Sequence, residues 1–129
     1  MDQVRKKLRA DEAHQRGITG RGVTVAVMDT GIVPHMDFDT RILKFKDFTQ
    51  NRVRTYDDNG HGTHVAGIIA GSGRAGRGVY AGIAPEAGLF VAKVLDRKGN
   101  GNTSQVLKAI DYILENQKEY NIRILNISV

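Results

Sequence analysis

The run at residues 23–28 (VTVAVM) is apolar apart from one threonine and rich in β-branched side chains. Such a run, without polar alternation, marks a strand buried on both faces of its sheet. Gly31 and Pro34 end it. Residues 89–95 (LFVAKVL) and 122–129 (IRILNISV) read as two further strands, and residues 42–48 as another short one. Elsewhere the apolar period changes. Val106, Ile110, Ile113 and Leu114 recur at helical spacing, which predicts an amphipathic helix over 104–117 with Ser104 at its start. A second helix is predicted over 61–70, capped by Asn59 or Gly60 at the end of an Asp57-Asp58-Asn59-Gly60 loop. A third spans 4–16 and closes at Gly17, since glycine supplies the left-handed conformation that helix ends favour. Gly20 and Gly22 bracket a turn, and the glycine-rich segments 71–82 and 96–102 read as loops.

Strands alternating with helices imply an α/β fold with a parallel sheet, right-handed crossovers and helices on both faces. The 129 residues suit one domain. The chain stops on an apolar strand with no cap or polar tail, which reads as a piece of a larger, truncated domain.

Composition narrows the field. Hydrophobic content of 40% and charged content of 26% are those of a globular chain. No apolar run approaches the ~20 residues of a membrane-spanning helix, so no membrane partner is expected. Residues 1–10 are polar and basic with no apolar segment behind them, unlike a signal peptide. There is no cysteine, hence neither a disulfide framework nor a thiol nucleophile. Both features lean toward an intracellular location. The net charge of +5 is spread over scattered loop and terminal residues without interleaved aromatics, which argues against a nucleic-acid partner.

Candidate chemistry sits at two places. Asp29 closes the 23–28 strand, and carboxyl ends of parallel strands are where open α/β sheets place their sites. An aspartate there also suits a plain turn. His61 opens the 61–70 helix between Gly60 and Gly62, which let backbone and ligand approach its ring. The helix dipole is expected to favour its neutral form, the form a general base needs. His64 lies on the same helix, but without a His-Glu-x-x-His pattern it reads as structural rather than as a metal ligand.

Together, Val25-Ala26-Val27-Met28-Asp29-Thr30-Gly31 and His61-Gly62-Thr63-His64-Val65-Ala66-Gly67 resemble the first two catalytic blocks of the subtilisin-like serine proteases, the subtilases. Their order and their separation of 32 residues fit that family. So do Gly82-Ile83-Ala84-Pro85, Lys93-Val94-Leu95 and Ile124-Leu125-Asn126-Ile127-Ser128. The resemblance runs from about residue 12 to the end. It implies a three-layer α/β/α fold with a parallel sheet, truncated here, and a serine endopeptidase as the parent protein. Asp29 would orient His61 and stabilise its charged form. His61 would take the proton of a serine hydroxyl and pass it to the leaving amine. Gly99, Asn100 and Gly101 match the family's edge segment that pairs with an extended polypeptide substrate, and Ser128 matches the start of the second substrate-lining strand.

The chain departs from the pattern in two respects. Its three serines are Ser72, Ser104 and Ser128, and none has the Gly-Thr-Ser-Met-Ala-x-Pro setting of the family nucleophile. The family's oxyanion-hole asparagine would fall beyond Val129. The chain alone is therefore expected to be inactive, with the missing C-terminal half as its partner and self-association through the uncovered sheet as a consequence. The structural calcium of many subtilases is not expected either. Asp37 matches one ligand position, but the loop 72–79 offers Arg74 and Arg77 and no Asp or Asn. No cofactor is assigned. Two rivals stand beside this reading. A retroviral-type aspartic protease shares Asp29-Thr30-Gly31 but is all-β, and it leaves the His61 block unexplained. A half-subtilase retained as a non-catalytic binding or scaffold module is the other.

Overall fold

The computed structural model describes residues 1–128. Four strands, β1 (Thr24–Asp29), β2 (Ile42–Asp47), β3 (Gly88–Lys93) and β4 (Ile122–Ile127), form one sheet in the order β2-β3-β1-β4. Every pairing is parallel. All four predicted strands are present; Val129, which the sequence reading included in the last, lies outside the described residues.

Strand periodicity of two divides β1 between two cores. Val25 and Val27 pack with Leu89, Val91, Ile32 and Phe38 against Ala66 and Ala70 of helix α3 (His61–Ala70). Ala26 and Met28 face the other side, with Phe90, Ala92 and Val94 against Ala109 and Ile113 of helix α4 (Thr103–Glu115). With both faces covered, no position on β1 is polar-facing, so it reads as an unbroken apolar run. The arrangement is a three-layer α/β/α fold with a parallel sheet.

Helix α4 starts earlier than its apolar positions suggest, because Asn102 rather than Ser104 caps it, accepting the Gln105 N–H at 2.9 Å. It ends at Asn116, and a short helix α5 (Gln117–Tyr120) follows. The predicted 71–82 loop contains a single 3₁₀ turn at Arg74–Gly76.

The N-terminal expectation is corrected. Residues 4–16 do not form one helix but two, α1 (Asp2–Lys7) and α2 (Ala10–Gln15), broken where Arg9 adopts a left-handed φ of 60°. Arg5 explains the break. Its guanidinium is buried and donates to the Ala81 carbonyl at 2.6 Å and to the Asp11 carboxylate at 3.0 Å. On a straight helix Asp11 would stand about 240° around the axis from Arg5, out of reach. The kink brings the two together and buries Ala10.

One edge remains uncovered. On β4, Ile124, Leu125 and Ile127 are 55%, 39% and 45% exposed, which leaves an apolar strip along that end of the sheet. Beside it, Leu114 of α4 is also exposed.

Candidate active site

Asp29 is the last residue of β1, and its side chain is fully buried. Its carbonyl accepts the N–H groups of Val94 and Leu95 at 3.0 and 3.2 Å, which fix the strand end. One carboxylate oxygen takes the Thr30 N–H at 2.7 Å. Both oxygens face the first residue of α3, where Nδ1 of His61 donates to them at 2.9 and 3.0 Å. A carboxylate only accepts, so Nδ1 carries the proton and Nε2 of the neutral ring keeps a lone pair. The His61 side chain is 54% exposed while Asp29 is wholly enclosed. Among the described residues, Nε2 has no hydrogen-bond partner.

Two glycines let the segments come this close. Gly31 has φ of 119°, and a Cβ there would strike the Tyr56 carbonyl, whose oxygen accepts the Ile32 N–H at 3.1 Å. A Cβ at Gly62 would strike the carbonyl oxygen of Gly31, so only glycine allows the start of α3 to sit on the turn after β1. Gly60 caps α3 with φ of 101°, and Asn59 Oδ1 accepts the His61 N–H at 3.0 Å.

The hub behind this contact is Asp57, which the sequence reading treated only as a loop residue. One oxygen accepts the Thr30 hydroxyl at 2.8 Å and the N–H groups of Asn59 and Gly60; the other accepts the Thr63 N–H and hydroxyl at 2.9 and 2.6 Å. The Thr30 oxygen in turn accepts the Gly62 N–H at 2.8 Å. Burial alone would raise the Asp57 carboxyl, but the hydrogen bonds from Thr63, Gly60 and Asn59 outweigh it and hold it at about 2.

Lys93, part of a predicted strand and of a block that fits the family but given no role from sequence, ends β3 with its side chain fully buried. Its ammonium donates to the carbonyls of Thr30 and Leu95, both at 2.6 Å, and to Asp58 at 2.9 Å.

The electrostatics of His61 correct another expectation. The hydrogen bond from Nδ1 to Asp29, followed by the Asp29 charge, raises the imidazole above its ordinary 6.5; the ring's slight burial opposes this and the Asp57 charge adds to it. A direct contact at 2.9 Å outweighs the partial charge of a helix end, so the pair shifts the ring toward its protonated form rather than away from it.

The other predicted site residues divide between two hollows. Gly99 and Ser128 line a cavity of about 270 Å³ with His61, Thr30, Asn59 and Leu95. Asn100 and Gly101 line a neighbouring one of about 440 Å³ with Asp96 and Gln105. Gly99 sits at φ of 80° and donates its N–H to the Asp96 carbonyl at 2.9 Å, while the Asp96 carboxylate accepts the N–H groups of Lys98 and Asn100 at 2.9 and 3.0 Å. The Ser128 hydroxyl accepts from the Asn126 side chain at 3.0 Å, and the Ser72 hydroxyl from the Arg74 N–H at 3.2 Å. Ser104 lies in the first turn of α4.

At the calcium-like position, Asp37 Oδ1 accepts the Ala75 N–H at 2.8 Å and Arg74 pairs with Asp39 at 3.1 Å. Calcium needs six to eight oxygen donors. Here these carboxylates meet an N–H group and a guanidinium instead. His64 is exposed.

The family model of the subtilases, described as the Subtilase family, matches residues 20–129. Serine protease AprX of Bacillus subtilis is 43% identical over 89% of this chain and 26% of its own length. A thermostable alkaline protease of Halalkalibacterium halodurans is 43% identical over 95% of this chain and 32% of its own. Subtilisin Savinase of Lederbergia lenta is 43% identical over 82% of this chain and 38% of its own. The crystal structure of a cold-adapted subtilisin-like serine proteinase superimposes with a TM-score of 0.67 at 38% identity, covering 77% of this chain and 34% of that one. The chain thus spans between a quarter and two-fifths of the length of these relatives. With the family model matched from the turn before β1 onward, and with four parallel strands between two helical layers, the chain belongs to the subtilase family.

Proposed function

We propose that these residues supply the general base and its orienting carboxylate to a serine endopeptidase whose nucleophile comes from polypeptide outside residues 1–129. The observation that carries this reading is the buried Asp29 carboxylate gripping Nδ1 of a half-exposed His61 while Nε2 is left unpaired. That arrangement suits a proton relay. His61 Nε2 takes the proton of a serine hydroxyl as the oxygen attacks a peptide carbonyl, then returns it to the leaving amine as the C–N bond breaks. Asp29 keeps the tautomer fixed and offsets the charge on the imidazolium between those steps.

The substrate is an extended polypeptide that adds as a strand beside Gly99, Asn100 and Gly101, with Ser128 on the other side of the His61 cavity. The exposed glycine-rich turn after β3 suits backbone pairing. None of the chain's own serine hydroxyls is hydrogen-bonded to His61 among the described residues, which supports a nucleophile from elsewhere. The names of the relatives, all proteases, support the reaction class.

Fluorophosphonate labelling of the 129-residue chain and of the whole source-gene product, followed by peptide mapping, tests this. The proposal expects no label on the chain alone and one labelled serine outside residues 1–129 in the whole product. Label on Ser72, Ser104 or Ser128, or none on the whole product, contradicts it.

A further inference from the structure

We propose that Lys93 is a positioning residue for the Asp29–His61 pair, its ammonium clamping the turn that follows Asp29 to the loop that precedes His61. This rests on the reading of Asp29 and His61 as the working pair.

An ammonium with no exposed surface has lost its hydration, and a lysine in that state is tolerated only when its donors are fully paired. Here the pairing is complete. Three N–H donors meet three acceptors, the Thr30 carbonyl, the Leu95 carbonyl and the Asp58 carboxylate. The Tyr56 ring adds a face 5.2 Å from the nitrogen. An apolar side chain of the same length would fill a core position without that cost, so packing alone does not account for a charge here.

The placement of the acceptors says what the charge does. Thr30 directly follows Asp29, and Asp58 lies three residues before His61. Leu95 lies two residues beyond Lys93, and its N–H, with that of Val94, holds the Asp29 carbonyl. One cation thus joins the three segments that meet at the Asp29–His61 contact. Lys93 is the direct neighbour of Asp29 on β1 and of Asp47 on β2, so it stands in the sheet rim between two buried carboxylates. Asp57 ties the His61 loop to Thr30 through its side chain; Lys93 ties the same loop to the Thr30 backbone from the other side.

The test is NMR of the His61 ring in the whole source-gene product, comparing wild type with Lys93→Met and Asp58→Ala. Methionine keeps the length and removes the donors. Asp58→Ala removes one acceptor at a partly solvated position and spares the core. The proposal expects the Asp29-bonded Nδ1 proton to broaden away or move upfield in both. It also expects the His61 midpoint to fall toward the ordinary value by about half a unit or more in Lys93→Met, and by less in Asp58→Ala. A residue needed only for folding would lower the melting temperature and leave the Nδ1 proton and midpoint of the folded chain where they are; that result overturns the proposal. If Lys93→Met does not fold, an unchanged ring in Asp58→Ala overturns it equally. Neither readout depends on proteolysis, so a whole-gene product without hydrolytic activity would sink the endopeptidase reading while leaving this one standing.

Discussion

A carboxylate wholly out of water grips a half-exposed imidazole, and the asymmetry matters. Asp29 is locked by Thr30 N–H on one oxygen and has no solvent to turn to, so the ring must align with it. The pair raises His61 above 6.5, which sets a sign for pH dependence. A general base works only when neutral, so hydrolysis by the whole-gene product should rise with pH through a midpoint above that ordinary value. Stability carries the opposite sign. The contribution of the pair is fully present below the unfolded value near 6.5 and is lost as pH rises through the higher folded one. A pH–rate profile with its acid limb at or below 6 contradicts the assignment. At this scale the sequence was uneven in what it disclosed. Asp29 and His61 were legible as a pair because a strand-end aspartate and a glycine-flanked histidine stand in two blocks that resemble those of the family. Asp57 and Lys93 were not, since an aspartate in a polar loop and a lysine in a strand look solvated until long-range partners are known.

Elements were more legible than the contacts that terminate them. The apolar runs and the helical spacing placed every strand and the two sheet-packing helices, because those patterns reflect burial against the same sheet. The N-terminal helix broke at Arg9 because Arg5 bonds both to Asp11 across the break and to the Ala81 carbonyl, 76 residues away. The segment after α3 shows the same principle. Its Asp37–Ala75 and Arg74–Asp39 contacts close the loop with protein groups alone. We therefore propose that no calcium is required here. Thermal unfolding of the chain should be unchanged within a degree or so by a chelator, whereas raised salt should weaken the exposed Arg74–Asp39 pair slightly. A chelator-induced fall of several degrees, restored by calcium, would show an ion bound and contradict this.

At the scale of the whole molecule, the edge strand β4 is the open part. Its open backbone edge and the exposed side chains of Ile124, Leu125 and Ile127 form the kind of surface that pairs with another chain. Light scattering of the 129-residue chain should show mass rising with concentration, and Ile124→Lys should reduce it; a monodisperse monomer across the range contradicts this. The polypeptide that brings the nucleophile is proposed to lie outside residues 1–129. The central claim, that Asp29 and His61 run the chemistry once that polypeptide is present, is tested most directly by casein hydrolysis with variants of the whole-gene product. His61→Ala should lower kcat by about 10⁶-fold, the scale set by loss of the same base in a subtilisin. Asp29→Asn should lower it by roughly 10⁴-fold, because the wrong tautomer is then held. Losses within about tenfold of wild type in folded variants would mean that the pair is a structural contact and that the catalytic base lies elsewhere.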